Sequence, residues 1–291
     1  MSQRLSRLRN TCGPQLRDSE HPHLRAQYWA VPLYLQELLQ VSSERFATDA
    51  DNFERLLNQV LKLPRVVFVT LNYDTIFDRV LERSHHPLNS LDAYIGDQQA
   101  PLIKLHGSVN WGRSLDISDI ENPSAWGFRA TCWALVESSE RLGSEIQYVN
   151  HPTIPADSMR QAAGGWYYPA LAAPLGPDDE TTCPPAHLSA LRGFLDRATT
   201  ANRLHIPVLG YSCLDRAPLA LLRESENSIV SAAFVNGTRL AGVDALERMQ
   251  VAVGPPAPVE CRDSVEIFDG GFTEYVASDS LRRFVEYVAS F

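Results

Sequence analysis

The sequence lacks any cysteine pair at metal-binding spacing. Its five cysteines are odd in number and widely scattered, and none forms a C-x-x-C pair. Neither a structural zinc site nor a disulfide framework is therefore indicated, and the thiols are expected to be reduced and mostly buried. They are Cys12, Cys132, Cys183, Cys213 and Cys261.

Long apolar runs and an excess of basic residues are also lacking. No run approaches the roughly 20 apolar residues needed to cross a bilayer, and the polar start MSQRLSRLRN has no signal-peptide core. We therefore expect a soluble, cytoplasmic protein that does not contact membranes. The formal net charge of -9 argues against direct nucleic-acid binding. The negative net charge does not exclude binding of small anionic ligands, because helix N-termini bind phosphate without net positive charge.

What is present is an alternation of strand and helix patterns along 291 residues. Residues 1–65 are predicted to be a helical segment that packs on the core, because apolar residues recur at helical spacing in AQYWAVPLYLQELLQ and DNFERLLNQVLKL. From Val66 onward, strands alternate with helices, which predicts an α/β fold with a parallel sheet and helices on both faces. Residues from about 114 to 185 are rich in Pro, Gly, Ser and Trp and are predicted to be a loop-rich insert or small subdomain.

Polar residues and glycines follow four of the predicted strands directly. Ligands of open α/β sheets bind outside the carboxyl ends of the strands, so these residues are candidate site residues. Each also has a simpler explanation as a helix cap or a turn residue. The four groups are Thr70, Asn72 and Asp74; His106, Gly107 and Ser108; Gly210, Tyr211 and Ser212; and Asn236 and Gly237.

An amide, a carboxylate and an imidazole at one rim of a sheet suit a particular type of reaction. Histidine can act as a general base near neutral pH, while an amide and a carboxylate can orient water or a sugar hydroxyl. The sequence has no Cys or Ser directly beside His106, no metal-ligand cluster and no G-x-x-x-x-G-K-[ST] loop. The set therefore favours attack by water or a hydroxyl on an already activated bond, such as the nicotinamide–ribose bond of NAD.

The same residues resemble those of a known family. TLNYD resembles the sirtuin signature TQNID, KLHGS is similar to the sirtuin HG with its histidine, and GYS and VNG follow in the same order as in sirtuins. In combination, over roughly residues 25–250, they resemble the bacterial sirtuin-like NAD hydrolases of anti-phage defence. The resemblance implies that residues 66–291 form a Rossmann-type domain. NAD would be its substrate, no metal would be needed, and nicotinamide and ADP-ribose would be released.

The resemblance also implies roles for individual residues. Asn72 would orient the ribose or the attacking water, Asp74 would support the nicotinamide or ribose pocket, and His106 would be the general base. Ser212 and Asn236 would hold the adenosine half of NAD. The full set of residues expected to bind NAD is Thr70, Gly107, Ser108, Gly210, Ser212 and Asn236. A homo-oligomer or a defence-system protein is the expected macromolecular partner.

Departures from the sirtuin pattern keep alternatives open. Leu71 replaces the Gln of the signature, and the zinc-binding cysteine pairs are absent, so a protein deacylase is disfavoured. The family begins with a strand and a Gly-rich GAGxS-type loop that cradles the NAD pyrophosphate, yet no G-x-G occurs here. Met1 is therefore expected to be an internal start, or the chain a reduced variant without this unit. The alternative function is a non-catalytic NAD-binding or ADP-ribose-binding module or a scaffold subunit.

Overall fold

The computed structural model describes most of the chain and shows a mixed α/β protein, as predicted. The described residues are 14–46, 51–84, 87–96, 100–119, 128–149, 160–162, 165–172, 181–200, 204–224, 229–253 and 265–290. They belong to two compact units, each assembled from separate stretches of sequence. The first unit comprises Met1–Ala47, Val69–Gly96 and Lys104–Pro184, and the second comprises Thr48–Phe68, Asp97–Ile103 and Pro185–Phe291. This division differs from the predicted boundary at residue 65, because the N-terminal helices are shared between the two units.

The helices and strands of the described residues are numbered here in chain order. The helices are α1 (Pro14–Arg17), α2 (Pro22–Phe46), α3 (Asp51–Val60), α4 (Ile76–Arg83), α5 (Leu91–Ile95), α6 (Phe128–Glu137), α7 (Pro185–Thr200), α8 (Arg216–Arg223), α9 (Arg239–Val253), α10 (Gly271–Ala277) and α11 (Asp279–Ala289). The strands are β1 (Phe68–Thr70), β2 (Leu102–Lys104), β3 (Gly107–Leu115), β4 (Leu142–Tyr148), β5 (Arg160–Ala162), β6 (Gly165–Leu171), β7 (Leu204–Leu209), β8 (Ile229–Val235) and β9 (Val265–Phe268).

The first unit contains an antiparallel sheet in the order β4-β3-β6-β5. Apolar side chains of α2 and α6 pack on it; Trp29 and Leu33, for example, contact the cluster around Tyr168 and Leu115. Most of this sheet lies in residues 114–185, the segment predicted to be a loop-rich insert or small subdomain, and the described part of that segment contains β4, β5, β6 and α6. The strands escaped recognition because they carry residues that are usual in turns, such as Pro169 in β6.

The second unit contains a parallel sheet in the order β7-β8-β9. Phe268 packs in a core formed with α3, α10 and α11. The neighbouring residue Ile267 lies against Gly242 of α9. Because successive side chains of a strand point to opposite faces, helices cover both faces of this sheet. The core residues are Leu56, Val60, Leu63, Val235, Tyr275, Val276, Leu281 and Val285.

Strands β1 and β2 pair only with each other in the described residues. The Phe68 N–H donates to the Pro101 carbonyl at 2.9 Å, and the Leu105 N–H donates to the Thr70 carbonyl at 3.0 Å. These bonds advance in the same direction along both strands, so the pair is parallel. The predicted parallel strands are therefore found, but in two separate sheets.

Three of the cysteines lie in described residues, and all three are buried free thiols, as predicted. Burial raises the pKa of Cys132 to about 11, of Cys183 to about 12 and of Cys213 to about 11. Cys12 and Cys261 lie outside the described residues. Over the described ranges, no helix combines the length and apolar character needed to cross a membrane.

Candidate functional site

The first candidate region is the loop between β1 and α4. The Thr70 hydroxyl accepts a hydrogen bond from the Asn72 N–H at 3.0 Å, which turns the chain as soon as the strand ends. The Asp74 carboxylate accepts the Ile76 N–H at 3.0 Å and so satisfies a donor in the first turn of α4. The Asn72 side chain is exposed. In this loop the carboxylate is used by the fold, and the amide is available to a ligand.

The second candidate region is the turn between β2 and β3. Gly107 has a φ of 85°, and a Cβ atom there would lie 1.9 Å from the Ala170 carbonyl oxygen, so only glycine fits. Ser108 is fully buried, with its Oγ 3.4 Å from the Tyr73 carbonyl. The His106 side chain is partly exposed. Of these three residues, His106 is therefore the one placed to reach a ligand.

Hydrogen bonds and a ring contact join these two regions. The Val109 N–H donates to the Tyr73 carbonyl at 2.9 Å. The Tyr73 hydroxyl donates to the Ala172 carbonyl at 2.9 Å, and the Ala172 N–H donates to the His106 carbonyl at 2.9 Å. The rings of Tyr73 and His106 stack with centroids 6.0 Å apart and an angle of 29°. The imidazole thus lies beside the loop that carries Asn72.

A buried ion pair connects the same two regions, and sequence reasoning missed it. The Lys104 Nζ donates to the Asp74 main-chain carbonyl and lies 3.0 Å from the Asp78 Oδ2. The two side chains are only 1% and 4% exposed. The signal was present in the sequence, since Lys104 interrupts the apolar run PLIKLHG and such a lysine needs a buried partner.

The ion pair continues into a tyrosine and an amide. The Tyr94 hydroxyl donates to the Asp78 Oδ1 at 2.5 Å, and the Asn110 Nδ2 donates to the Tyr94 oxygen at 3.0 Å. Burial raises the pKa of Tyr94 well above its usual value, and the nearby Asp78 charge adds to the effect. Tyr94 therefore stays protonated at neutral pH and serves as a hydrogen-bond donor within the fold.

The remaining candidates lie at the carboxyl ends of the parallel strands of the second unit. The Gly210 N–H donates to the Val235 carbonyl at 2.8 Å, and the Asn236 N–H donates to the Phe268 carbonyl at 3.0 Å. Ser212 is exposed, and its carbonyl accepts a hydrogen bond from Arg248 at 2.8 Å. Asn236 is only 8% exposed, and its buried Nδ2 has no hydrogen-bond partner among the described residues.

The structure thus divides the predicted site residues into two sets, one in each unit. The residues of the first set lie around the end of β1 and the step from β2 to β3, and those of the second set follow β7 and β8. The first set is Thr70, Asn72, Asp74, His106, Gly107 and Ser108, and the second is Gly210, Ser212 and Asn236. Among the residues that the structure describes, no group of three or more His, Cys, Asp or Glu side chains could hold a metal ion.

No protein-family model matches this sequence, and no curated protein is significantly similar to it. The function of the chain is therefore inferred from its own residues and their geometry.

Proposed function

We propose that this chain is a sirtuin-like NAD hydrolase with a Rossmann-type domain, which releases nicotinamide and ADP-ribose. One observation carries the proposal: the imidazole of His106 lies beside a loop that presents the exposed amide of Asn72. Both groups follow parallel strands directly, which is where α/β proteins bind their ligands. A base and an orienting amide are the groups that water needs to attack an activated glycosidic carbon.

In the proposed reaction, the oxygen of a water molecule bonds to the ribose carbon that carries nicotinamide. His106 takes one proton from this water, and Asn72 orients the water or the ribose hydroxyls. The carbon–nitrogen bond breaks, and its electron pair neutralises the positive charge of the nicotinamide ring. Nicotinamide therefore leaves as a neutral molecule without a protonating acid, and the reaction uses NAD as substrate without a metal.

The structure changes the role that we propose for Asp74. Its carboxylate holds the first turn of α4, and its main-chain carbonyl accepts the hydrogen bond from Lys104. Asp74 supports the pocket by fixing the end of the Asn72 loop. Thr70, Gly107 and Ser108 contribute in the same indirect way, through the turns that they stabilise.

For the adenosine half of NAD we propose Ser212 and Asn236, with Gly210 allowing close approach of the backbone. The buried Nδ2 of Asn236 is a donor that a ribose hydroxyl or an adenine nitrogen could satisfy. The same observation favours the second candidate function, a module that binds NAD or ADP-ribose without cleaving it.

The test is incubation of the protein with NAD alone, followed by chromatography of nicotinamide and ADP-ribose. We expect both products in equal amounts from the wild type, and little of either from Asn72→Ala. Asn89→Ala is the matched control, because Asn89 is also exposed but lies outside the candidate site. Release only with an acyl-lysine peptide supports a deacylase. No release, but a higher melting temperature with NAD, supports the binding module.

We also propose the biological setting that the resemblance implies, which is defence of a bacterial cytoplasm against phage, as a homo-oligomer or with a second defence protein. The measurement is the NAD content of phage-infected cells. It is expected to fall in cells that express the wild type and to stay unchanged in cells that express Asn72→Ala. An equal fall in both contradicts this setting.

A further inference from the structure

We propose that Tyr73 is a positioning residue that holds the imidazole of His106 in its reactive orientation. This inference rests on the proposed function, because it takes His106 as the general base. Tyr73 lies directly after Asn72 in the loop that follows β1. Its ring stacks on the ring of His106.

Tyr73, His106 and Ala172 each contact the other two residues. The Tyr73 ring stacks on the His106 ring, and its hydroxyl is anchored on the Ala172 carbonyl at 2.9 Å. Ala172 in turn donates its N–H to the His106 carbonyl at 2.9 Å. Ala172 therefore bonds both the hydroxyl of Tyr73 and the main chain of His106. Movement of the Tyr73 side chain away from this position would break the hydrogen bond to Ala172 and the contact with the His106 ring.

The residue type fits this task. Aromatic rings favour paired arrangements with centroids about 4.5–7 Å apart, and the Tyr73–His106 distance of 6.0 Å lies in this range. The hydroxyl fixes the ring itself. Orientation of this kind matters for catalysis, because a displacement of about 1 Å of a reacting group can cost on the order of 100-fold in rate. A base that rotates freely would spend most of its time away from the attacking water.

The first test compares two variants at position 73. Tyr73→Phe keeps the ring and loses the anchor, so kcat is expected to fall by about 2- to 5-fold. Tyr73→Leu loses both, so kcat is expected to fall by about 10- to 100-fold, with KM changed by less than about threefold. Tyr168→Phe is the matched control, because its hydroxyl also donates to a main-chain carbonyl, that of Trp29 at 2.6 Å, in the same unit. It should leave kcat unchanged.

A double-mutant cycle separates positioning from general structural damage. If Tyr73 acts through His106, then Tyr73→Leu should have no further effect on kcat in a His106→Ala background. If Tyr73→Leu reduces kcat by the same factor in both backgrounds, Tyr73 does not act through His106 and the proposal is overturned. Melting temperatures of all four proteins show whether each one is folded at the assay temperature.

A second measurement does not depend on activity. In NMR spectra, the ring protons of His106, assigned by their loss in His106→Ala, should be shifted by the stacked Tyr73 ring. The shift should disappear in Tyr73→Leu and persist in Tyr73→Phe. Absence of the shift in the wild type contradicts the positioning role. A wild type that shows the shift but releases no nicotinamide contradicts the proposed hydrolase, and the contact then has only a structural role.

Discussion

The two strand-end regions of this protein differ in how their polar groups are satisfied. In the first unit, the loop at Asp74 and the turn at His106 are tied together by main-chain bonds, a buried lysine and a stacked tyrosine. In the second unit, the Asn236 N–H and carbonyl bond to the main chain of Phe268 and Gly271, and the buried amide nitrogen of Asn236 lacks a partner among the described residues. The first region is held rigidly by these contacts, whereas the second contains a buried N–H donor that a ligand could bond.

This difference indicates which region is suited to catalysis and which is suited to ligand binding. Catalytic groups need a fixed geometry, and a frame joined by several hydrogen bonds and an ion pair supplies it at no cost during the reaction. A binding group needs an unmet hydrogen bond that the ligand can make, because buried polar groups are almost always paired. Under the proposed function, cleavage would belong to the first region and recognition to the second. The following predictions test this assignment.

The largest expected effect is loss of the proposed base. His106→Ala should lower the turnover of NAD by about 10²- to 10⁴-fold, the usual contribution of a general base, with the fold intact. Turnover is measured by nicotinamide release and folding by circular dichroism. The control is His21→Ala, since His21 is exposed and outside the site. Equal activity of wild type and His106→Ala would exclude His106 as the base.

The next largest effect concerns the buried ion pair below the first region. Lys104→Met should lower the free energy of unfolding by about 3–5 kcal/mol, because it leaves the Asp78 carboxylate buried without its cation. Adding Asp78→Leu should recover most of that stability, since an apolar pair of similar volume can replace a buried ion pair. Urea denaturation measures both. The double variant should still show reduced turnover, because the contact from Lys104 to the Asp74 carbonyl is lost.

Substitution of the two strand-end glycines compares the regions directly. Both have positive φ, 85° at Gly107 and 65° at Gly210. A Cβ at Gly107 collides with the Ala170 carbonyl, whereas one at Gly210 meets nothing within 4 Å. We expect Gly107→Ala to cost about 2–5 kcal/mol of stability and Gly210→Ala only about 1–2 kcal/mol. Similar costs in urea denaturation would show that the first region is less rigid than its hydrogen bonds indicate.

The smallest effect on stability is expected at the unpartnered amide. Asn236→Ala removes a buried amide nitrogen that has no hydrogen-bond partner among the described residues, so the free energy of unfolding should change by less than about 1 kcal/mol. Affinity for ADP-ribose, measured by titration calorimetry, should fall by about 10-fold, equivalent to one hydrogen bond. Unchanged affinity would remove Asn236 from the proposed adenosine site.

Much of the local structure could be predicted from the sequence. The periodic segments at α2 and α3 are helices, as predicted. The predicted ends of β1 at Thr70 and of β8 just before Asn236 were also correct. These features depend on residues close together in sequence, so a local pattern contains the necessary information.

The features that could not be predicted depend on contacts between residues that are far apart in the sequence. The pairing of β3 with β6 brings Gly112 opposite Pro169, and nothing in either short segment specifies that partner. Lys104 and Asp78 are 26 residues apart, so their ion pair became visible only in the structure. The Asp74 carboxylate could serve a ligand or the fold, and the 3.0 Å bond that it accepts from the Ile76 N–H became visible only in the structure.

The position of α3 has a consequence for synthesis of the chain. The Asn52 side chain donates to the Thr273 hydroxyl across 221 residues, and Leu56 and Val60 pack with Leu281 of α11. At about 5–20 residues per second, the ribosome needs roughly 10–45 s to make the partners of α3 after α3 itself. A helix of 10 residues is too short to persist alone in water. The apolar face of α3 therefore has no partner from α10 or α11 during most of translation. We expect a ribosome-associated chaperone to bind this part of the second unit.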